Sequence, residues 1–201
     1  MLFRIGALCN SASLVAEQGV YSILGDPTEG AILVATRKYN AKQGFFERGN
    51  RKILELPFAS ERMRMSVAYQ DGITASYVKG SPDAILPLAT HWLTPEGRLP
   101  FTTEDRVMVQ SIYDKLSSQA LRVLAFAYRD LDGLPESAYV DEMERQLTWV
   151  GMMAMIDPPR SGTKEAFSAC REYGIRVMMM TGDYEKTALA IAREIGFFAP
   201  G

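Results

Sequence analysis

The chain has 201 residues, with 22 Lys and Arg against 24 Asp and Glu, a formal charge of −2. Its apolar fraction of 47% and charged fraction of 23% are ordinary globular proportions, which exclude a disordered, collagen-like or long coiled-coil chain. The near-neutral charge gives no electrostatic reason for a nucleic-acid partner, and no apolar run approaches the roughly 20 residues of a spanning helix.

Leu2 to Ala16 reads as mildly helical and runs into the apolar segment Val20 to Leu24. Asp26 is suited to cap a helix that Pro27 starts, and Ile32, Ala35, Thr36 and Tyr39 carry that helix to about Asn40. After Gly44 and Gly49 the pattern turns to strands. Lys52 to Phe58 is one, and Met65 to Tyr69 and Ile73 to Val78 flank the tight-turn dipeptide Asp71-Gly72. Thr94 to Gly97 marks another turn. Thr102 is placed to cap a helix with Val109, Ile112, Tyr113 and Leu116 as its buried stripe, and Leu121 to Tyr128 and Thr148 to Ile156 read as buried strands. Residues 1–155 therefore read as an α+β domain, an antiparallel sheet flanked by helices.

A different rhythm follows the stiff break Asp157-Pro158-Pro159-Arg160. A helix over Thr163 to Tyr173 stops at Gly174, Ile175 to Met180, apolar but for Arg176, reads as a buried strand, and Thr181-Gly182-Asp183 opens a helix with Ala188, Ile191, Ala192 and Ile195 on one face. Residues 156–201 thus read as a partial βαβα segment of parallel-sheet type.

Few residues suggest chemistry by themselves. Cys9 and Cys170 stand far apart without metal-ligand spacing, and the single His91, beside Trp92, leaves too few soft ligands for zinc, so no metal site is expected and a reduced, cytosolic setting fits. No GxG, GxxxxGK[ST] or GxSxG motif occurs. Thr181-Gly182-Asp183, between an apolar strand and a helix, has the place of a phosphoryl-oxygen site, or Asp183 merely caps the helix while Gly182 turns the chain. Asp130-Leu131-Asp132-Gly133 imitates the nucleophile loop of dehalogenase-like phosphatases, or is a solvated turn. Lys79-Gly80-Ser81-Pro82-Asp83 could aim an ammonium into a pocket, with Ser81 capping a short helix.

Six segments in order resemble one family, the P-type cation-transporting ATPases, and its bacterial members in particular. Gly25-Asp26-Pro27-Thr28-Glu29-Gly30-Ala31 looks like its GDPTEGAL element, and Phe58 with Ser60-Glu61-Arg62 and Arg64-Met65-Ser66-Val67 resembles F-x-S-E-R-K-R-M-S-V. Lys79 to Asp83 is similar to K-G-A-P-E, and Arg122 to Ala127 to R-x-L-A-x-A. Asp157 to Arg160 and Met180 to Asp183 match D-P-P-R and T-G-D.

The resemblance implies a nucleotide-binding domain over residues 1–155 and part of a dehalogenase-like phosphorylation domain over 156–201. It implies an ATP site in which Phe58 stacks on adenine, Lys79 lines the pocket with Ser60 and Gly80 beside it, and Glu29 meets the adenine amino group. Arg122 would reach the phosphates and Leu124 would pack near the sugar or base. Asp157 and Arg160 would lie at the hinge, and Thr181, Gly182 and Asp183 near the phosphoryl group. Met63 stands where the family usually has Lys, so one positive charge is missing from the pocket.

The phosphorylated D-K-T-G-T and the magnesium-holding G-D-G-x-N-D segments do not occur. The expectation is a piece of a plasma-membrane pump, on its cytoplasmic side, partnered by the remaining phosphorylation, actuator and membrane domains. It should bind ATP without turning it over, Mg2+ belonging to the whole pump. An exposed sheet edge in the partial segment would favour dimerisation. The alternatives are a dehalogenase-like phosphatase acting through Asp130 or Asp132, and a non-catalytic interaction module.

Overall fold

A computed structural model of the chain describes residues 1–17, 20–39, 51–133, 140–156, 159–182 and 184–198. Asn40, Gly44, Gly49, Asp157, Pro158 and Asp183, which the sequence reading used, lie outside them. The chain divides into two units, Met1–Arg106 with Leu124–Met153, and Val107–Val123 with Ala154–Gly201.

Helix α1 (Leu2–Leu8) is shorter than its sequence suggests. Asn10 ends it: its side-chain amide donates to the Gly6 and Glu29 carbonyls, at 3.1 and 3.0 Å, and its Oδ1 accepts from Ala12 N–H at 2.9 Å. Such local side-chain bonds compete with the helical ladder. The chain then forms the hairpin β1 (Ser13–Glu17) and β2 (Val20–Leu24) instead of continuing as helix. Helix α2 (Pro27–Tyr39) starts as expected, with the Asp26 carboxylate accepting from the N–H groups of Thr28 and Glu29 at 2.8 and 3.2 Å.

Strands β3 (Arg51–Ala59), β4 (Arg64–Asp71) and β5 (Ile73–Gly80) form an antiparallel meander. Gly72, at φ +70°, supplies the left-handed residue that the β4–β5 turn requires. Ser81 accepts from Ala84 N–H at 3.2 Å and so caps the short helix α3 (Pro82–Ile85). The hairpin β6 (Ala89–Thr94) and β7 (Gly97–Pro100) follows. Helix α4 (Thr103–Ser117) opens with a reciprocal cap, Thr102 Oγ1 accepting from Asp105 N–H and Asp105 Oδ2 from Thr102 N–H. Strand β8 (Leu121–Leu131), the one-turn helix α5 (Val140–Met143) and strand β9 (Leu147–Ile156) come next, before α6 (Thr163–Glu172) and α7 (Glu185–Glu194).

The main sheet has seven strands in the order β3-β4-β5-β8-β9-β6-β7. β5 and β8 pair antiparallel, as the hairpin-rich sequence implies. One pair departs from that rule: β6 runs parallel to β9, with Trp92 opposite Trp149. Stacked rings hold this joint, Phe101 lying 5.9 Å from Trp92 and 6.1 Å from Trp149. The Arg106 guanidinium covers Phe101 at 4.9 Å and donates to the Leu86 and Ala89 carbonyls, tying the first turn of α4 to this sheet. Ile5 and Leu8 of α1, Ile32 of α2, and Val67, Val78 and Phe126 of the sheet are among its fully buried side chains. Each contributes roughly 1.5–3 kcal/mol of transfer free energy. Leu56, Ala68 and Met143 form a further buried cluster.

In the second unit α4 carries Val109 and Tyr113 buried, but Ile112, expected on the same stripe, is 44% exposed. Tyr113 stacks on Tyr184 at 4.5 Å, and Phe167 on Phe197 at the same distance. Helix α6 ends as the sequence implies, with Gly174 at φ +71° and the Ile175 N–H bonded to the Cys170 carbonyl. The segment Ile175 to Met180 is not a strand: no described strand pairs with it, and Met180 is 89% exposed. A parallel strand exists only through its neighbours' hydrogen bonds, so the apolar run has nothing to complete. The second half of β9 is likewise not the buried strand expected, Ile156 being 76% exposed. Helix α7 opens at Glu185, after Tyr184 as its N-cap residue, rather than at Thr181 to Asp183. Among the described residues no helix is long and apolar enough to cross a membrane.

Candidate functional site

The strand register gathers several of the singled-out residues at one end of the main sheet. Ala59 pairs with Arg64, Arg64 with Gly80, and Gly80 with Ala125; in the next row Met65 pairs with Lys79 and Lys79 with Phe126. Phe58 and Ser60 flank the first of these residues, and Leu124 precedes the last. Phe58 lies in the stretch Leu56 to Ala59, where the register of β3 against β4 shifts. Such an irregularity re-aims a side chain, and Phe58 is 62% exposed, a large ring presented outward. Ser60 is exposed in the turn that follows.

Lys79 lies near the end of β5 and is only 4% exposed. Its ammonium meets Glu29 Oε1 at 2.6 Å. Glu29 is brought there by the Asp26 cap, which fixes the first turn of α2, and its Oε2 accepts from Ser11 N–H at 2.9 Å. A buried ammonium facing a carboxylate near the end of an interior strand is a polar handle that can serve a polar ligand. The same pair holds α2 to β5.

Gly80 is needed for space. A Cβ there would overlap the Arg64 Cβ and the Met63 carbonyl. That carbonyl accepts from Ser81 N–H at 3.0 Å, and Met63 itself sits at φ +48°, unusual for a non-glycine residue. The absent side chain thus lets the β3–β4 turn lie against the end of β5, beside Lys79.

Cys9 carries no local pattern that marks it for burial beside this row. It is fully buried, its Sγ donates to the Met65 carbonyl at 3.7 Å, and Met65 is the strand partner of Lys79. Burial pushes the thiol up from its ordinary 9.0 to about 12, against the pull of the Lys79 ammonium. Also missed is Glu144, buried just after α5, whose carboxylate takes hydrogen bonds from Arg62, Arg64 and Ser66. A lone Glu in a polar stretch carries no sequence signal for burial; Arg62 and Arg64, two apart where the β3–β4 turn enters β4, are the hint of a shared anion.

The other candidates are not members of this row. Arg122, near the start of β8, belongs to the second unit. Arg160 is exposed, its carbonyl accepting from Thr163 N–H, and Thr181 and Gly182 are exposed in irregular chain before α7. With Ile175 to Met180 not a strand, the strand-end crevice expected at Thr181 is not formed among the described residues. Asp130 faces Arg98 Nη1 at 3.7 Å on the surface, but it lies within β8, paired with Ala75, and not in the solvated turn that the sequence suggested. His91 Nδ1 lies 3.0 Å from Thr90 Oγ1.

Comparison with known proteins bears on the whole arrangement. The family model described as "P-type ATPase, cytoplasmic domain N" matches residues 1–162. The Calcium-transporting ATPase of Bacillus subtilis is 37% identical over 196 residues, covering 96% of this chain and 22% of that protein. Calcium-transporting ATPase 1 of Bacillus cereus is 39% identical over 98% of this chain and 22% of its own length. The Cation-transporting ATPase pma1 of a Synechocystis species is 33% identical over 98% of this chain and 21% of its own. The chain therefore spans about a fifth of the length of these relatives. The match over residues 1–162 shows that the chain belongs to the family of the P-type ATPase cytoplasmic domain N.

Proposed function

We propose that this chain is the ATP-binding part of a cation-transporting P-type ATPase. In this reading residues 1–155 form the nucleotide-binding domain and residues 156–201 belong to the phosphorylation domain, a dehalogenase-like α/β domain that other segments complete. The other partners are the remaining phosphorylation, actuator and membrane domains of the same pump, an integral membrane protein. Adenine would stack on the outward Phe58 ring, Leu124 would border it, and Ser60 and Gly80 would form the rim. Glu29 would accept from the adenine amino group, and Lys79 would donate to the nucleotide. Arg122 would meet the phosphates with its planar fork.

The share of catalysis assigned to these residues is binding and orientation. ATP held here would present its γ-phosphoryl group to the aspartate of a D-K-T-G-T segment, which these 201 residues do not contain. Asp157 and Arg160 would act at the hinge, and Thr181, Gly182 and Asp183 near the phosphoryl group. Mg2+, expected throughout the family, would neutralise the phosphate charge. Among the described residues no group of three or more His, Cys, Asp or Glu side chains is placed to hold a metal ion.

The observation that carries the reading is the buried Lys79–Glu29 pair beside the strand row that leads, through Gly80 and Arg64, to Ala59 and the exposed Phe58. An aromatic face beside a matched donor and acceptor suits a base bearing an amino group and ring nitrogens. Calorimetric titration of the chain and of Phe58→Ala with ATP tests it. Binding that weakens in Phe58→Ala while the fold persists supports stacking; equal binding by both sinks the assignment.

A further inference from the structure

Three side chains converge on Glu144, which is buried, its carboxylate side chain only 1% exposed. Arg62 Nη1 and Ser66 Oγ both donate to Oε1, the latter at 2.9 Å, and Arg64 Nε donates to Oε2 at 2.6 Å. Arg62 is held at its other end too, where Nη2 donates to the Pro57 carbonyl at 2.6 Å. Arg64 turns back on the same segment, its Nη1 donating to the Arg62 carbonyl at 3.0 Å. One carboxylate, about 80 residues away in sequence, therefore braces both ends of the Pro57–Arg64 stretch.

Burying a carboxylate and two guanidinium groups is expensive, and an apolar cluster would fill the same space at lower cost. What the network does that an apolar cluster cannot is fix a backbone atom. Pro57 immediately precedes Phe58, in the register shift that re-aims its ring. The Arg62 fork spans from Glu144 to the Pro57 carbonyl, so the position of Phe58 is referred to a buried carboxylate.

We propose that Glu144, acting through Arg62, is a positioning residue for nucleotide binding: it holds the β3–β4 turn so that Phe58 is set in its stacking orientation before ATP arrives. The proposal rests on the assignment of Phe58 to adenine. Its energetic meaning is pre-organisation, the ordering of the ring being completed on folding instead of on binding. Lys at position 62 would keep the charge but reach only one end of the strut, since a single ammonium cannot span what the guanidinium fork spans.

The test compares the chain with Arg62→Lys and Glu144→Gln, each also in a Phe58→Ala background. Amide NMR without nucleotide and ATP titration are the two readouts, and thermal unfolding verifies that each variant is folded. Arg62 is partly exposed, so Arg62→Lys remains informative should Glu144→Gln lose the fold. The expected result is that Arg62→Lys moves the Phe58 and Ala59 amides without nucleotide, weakens ATP binding several-fold, and causes no further loss once Phe58 is Ala. Non-additivity of this kind separates positioning from general loosening. An additive loss in the Phe58→Ala background contradicts the proposal. So do unchanged amides and affinity in Arg62→Lys when Phe58→Ala alone weakens binding, an outcome that leaves the stacking reading standing. If Phe58→Ala binds ATP as tightly as the unaltered chain, the stacking reading falls and the positioning role falls with it.

Discussion

Lys79 and Glu29 stand fifty positions apart, yet the ammonium lies 2.6 Å from the carboxylate. The lysine side chain is 5% exposed and the glutamate 15%, so the pair joins α2 to β5 where water is nearly excluded. Removing one partner strands the other. Glu29→Gln keeps the shape and an acceptor oxygen but removes the charge, and it should destabilise the fold by about 2 kcal/mol in urea unfolding. Glu29→Gln combined with Lys79→Met should recover part of that loss, because no charge is then left buried alone. A double variant that loses the sum of the single effects would show that the two side chains do not depend on each other.

Gly80→Ala places a methyl group against the Arg64 Cβ and the Met63 carbonyl. Neither can yield as a flexible side-chain tip does, so the β3–β4 turn must move away from β5. The expected cost is about 1–3 kcal/mol in stability, of the size usual for overpacking. Weaker ATP binding should accompany it. A variant as stable as the unaltered chain would mean that the turn is free to shift.

Cys9 makes a prediction about alkaline pH. Its thiol holds the proton from 9.0 up to about 12 in the fold, whereas the unfolded chain releases it near 9.0. The stabilisation is therefore complete below about pH 9 and is lost as pH rises toward about 12. Cys9→Ala should show a shallower fall in urea midpoint across that window than the unaltered chain. In the folded protein at neutral pH, iodoacetamide should label the half-buried Cys170 well ahead of Cys9. Equal labelling rates would contradict the burial of Cys9.

Asp114 makes the acid counterpart in the second unit. Its hydrogen bond with Lys186, and next that from Tyr184 at 2.8 Å, hold its carboxyl below the ordinary 3.8. The contribution is present above pH 3.8 and is lost as pH falls through the depressed value. Asp114→Asn should reduce hydrogen-exchange protection in α7 at neutral pH, and the difference from the unaltered chain should shrink in acid. A difference that persists unchanged at low pH would rule out the charge as its source.

What the sequence made legible was local chemistry. Asp26 before Pro27, Ser81 before Pro82, Thr102 before Asp105, Asp71-Gly72 and Gly174 each fix a turn or cap through neighbouring backbone groups, and each does so in the structure. The hairpins that follow put Lys79, Gly80, Phe58 and Ser60 at one sheet end. The parallel pairing of β6 with β9 was not legible, because it joins Trp92 to Trp149, far apart in the chain, through aromatic packing that no local pattern encodes. Glu144 and Cys9 were not legible either: their burial is decided by partners on other strands. Ile175 to Met180 misled in the opposite direction. Five apolar residues around Arg176 come near the pattern of a buried strand, but a strand also needs a neighbour to bond with.

The proposed function places ATP at the Phe58–Lys79 end of the main sheet. An amide NMR titration with ATP to millimolar concentration tests it most directly. The account predicts saturable shifts at Phe58, Ser60, Lys79 and Gly80, with the β6–β7 turn at Thr94 to Gly97 unmoved. No response at Phe58 and Lys79, or a response confined to other parts of the chain, would contradict it.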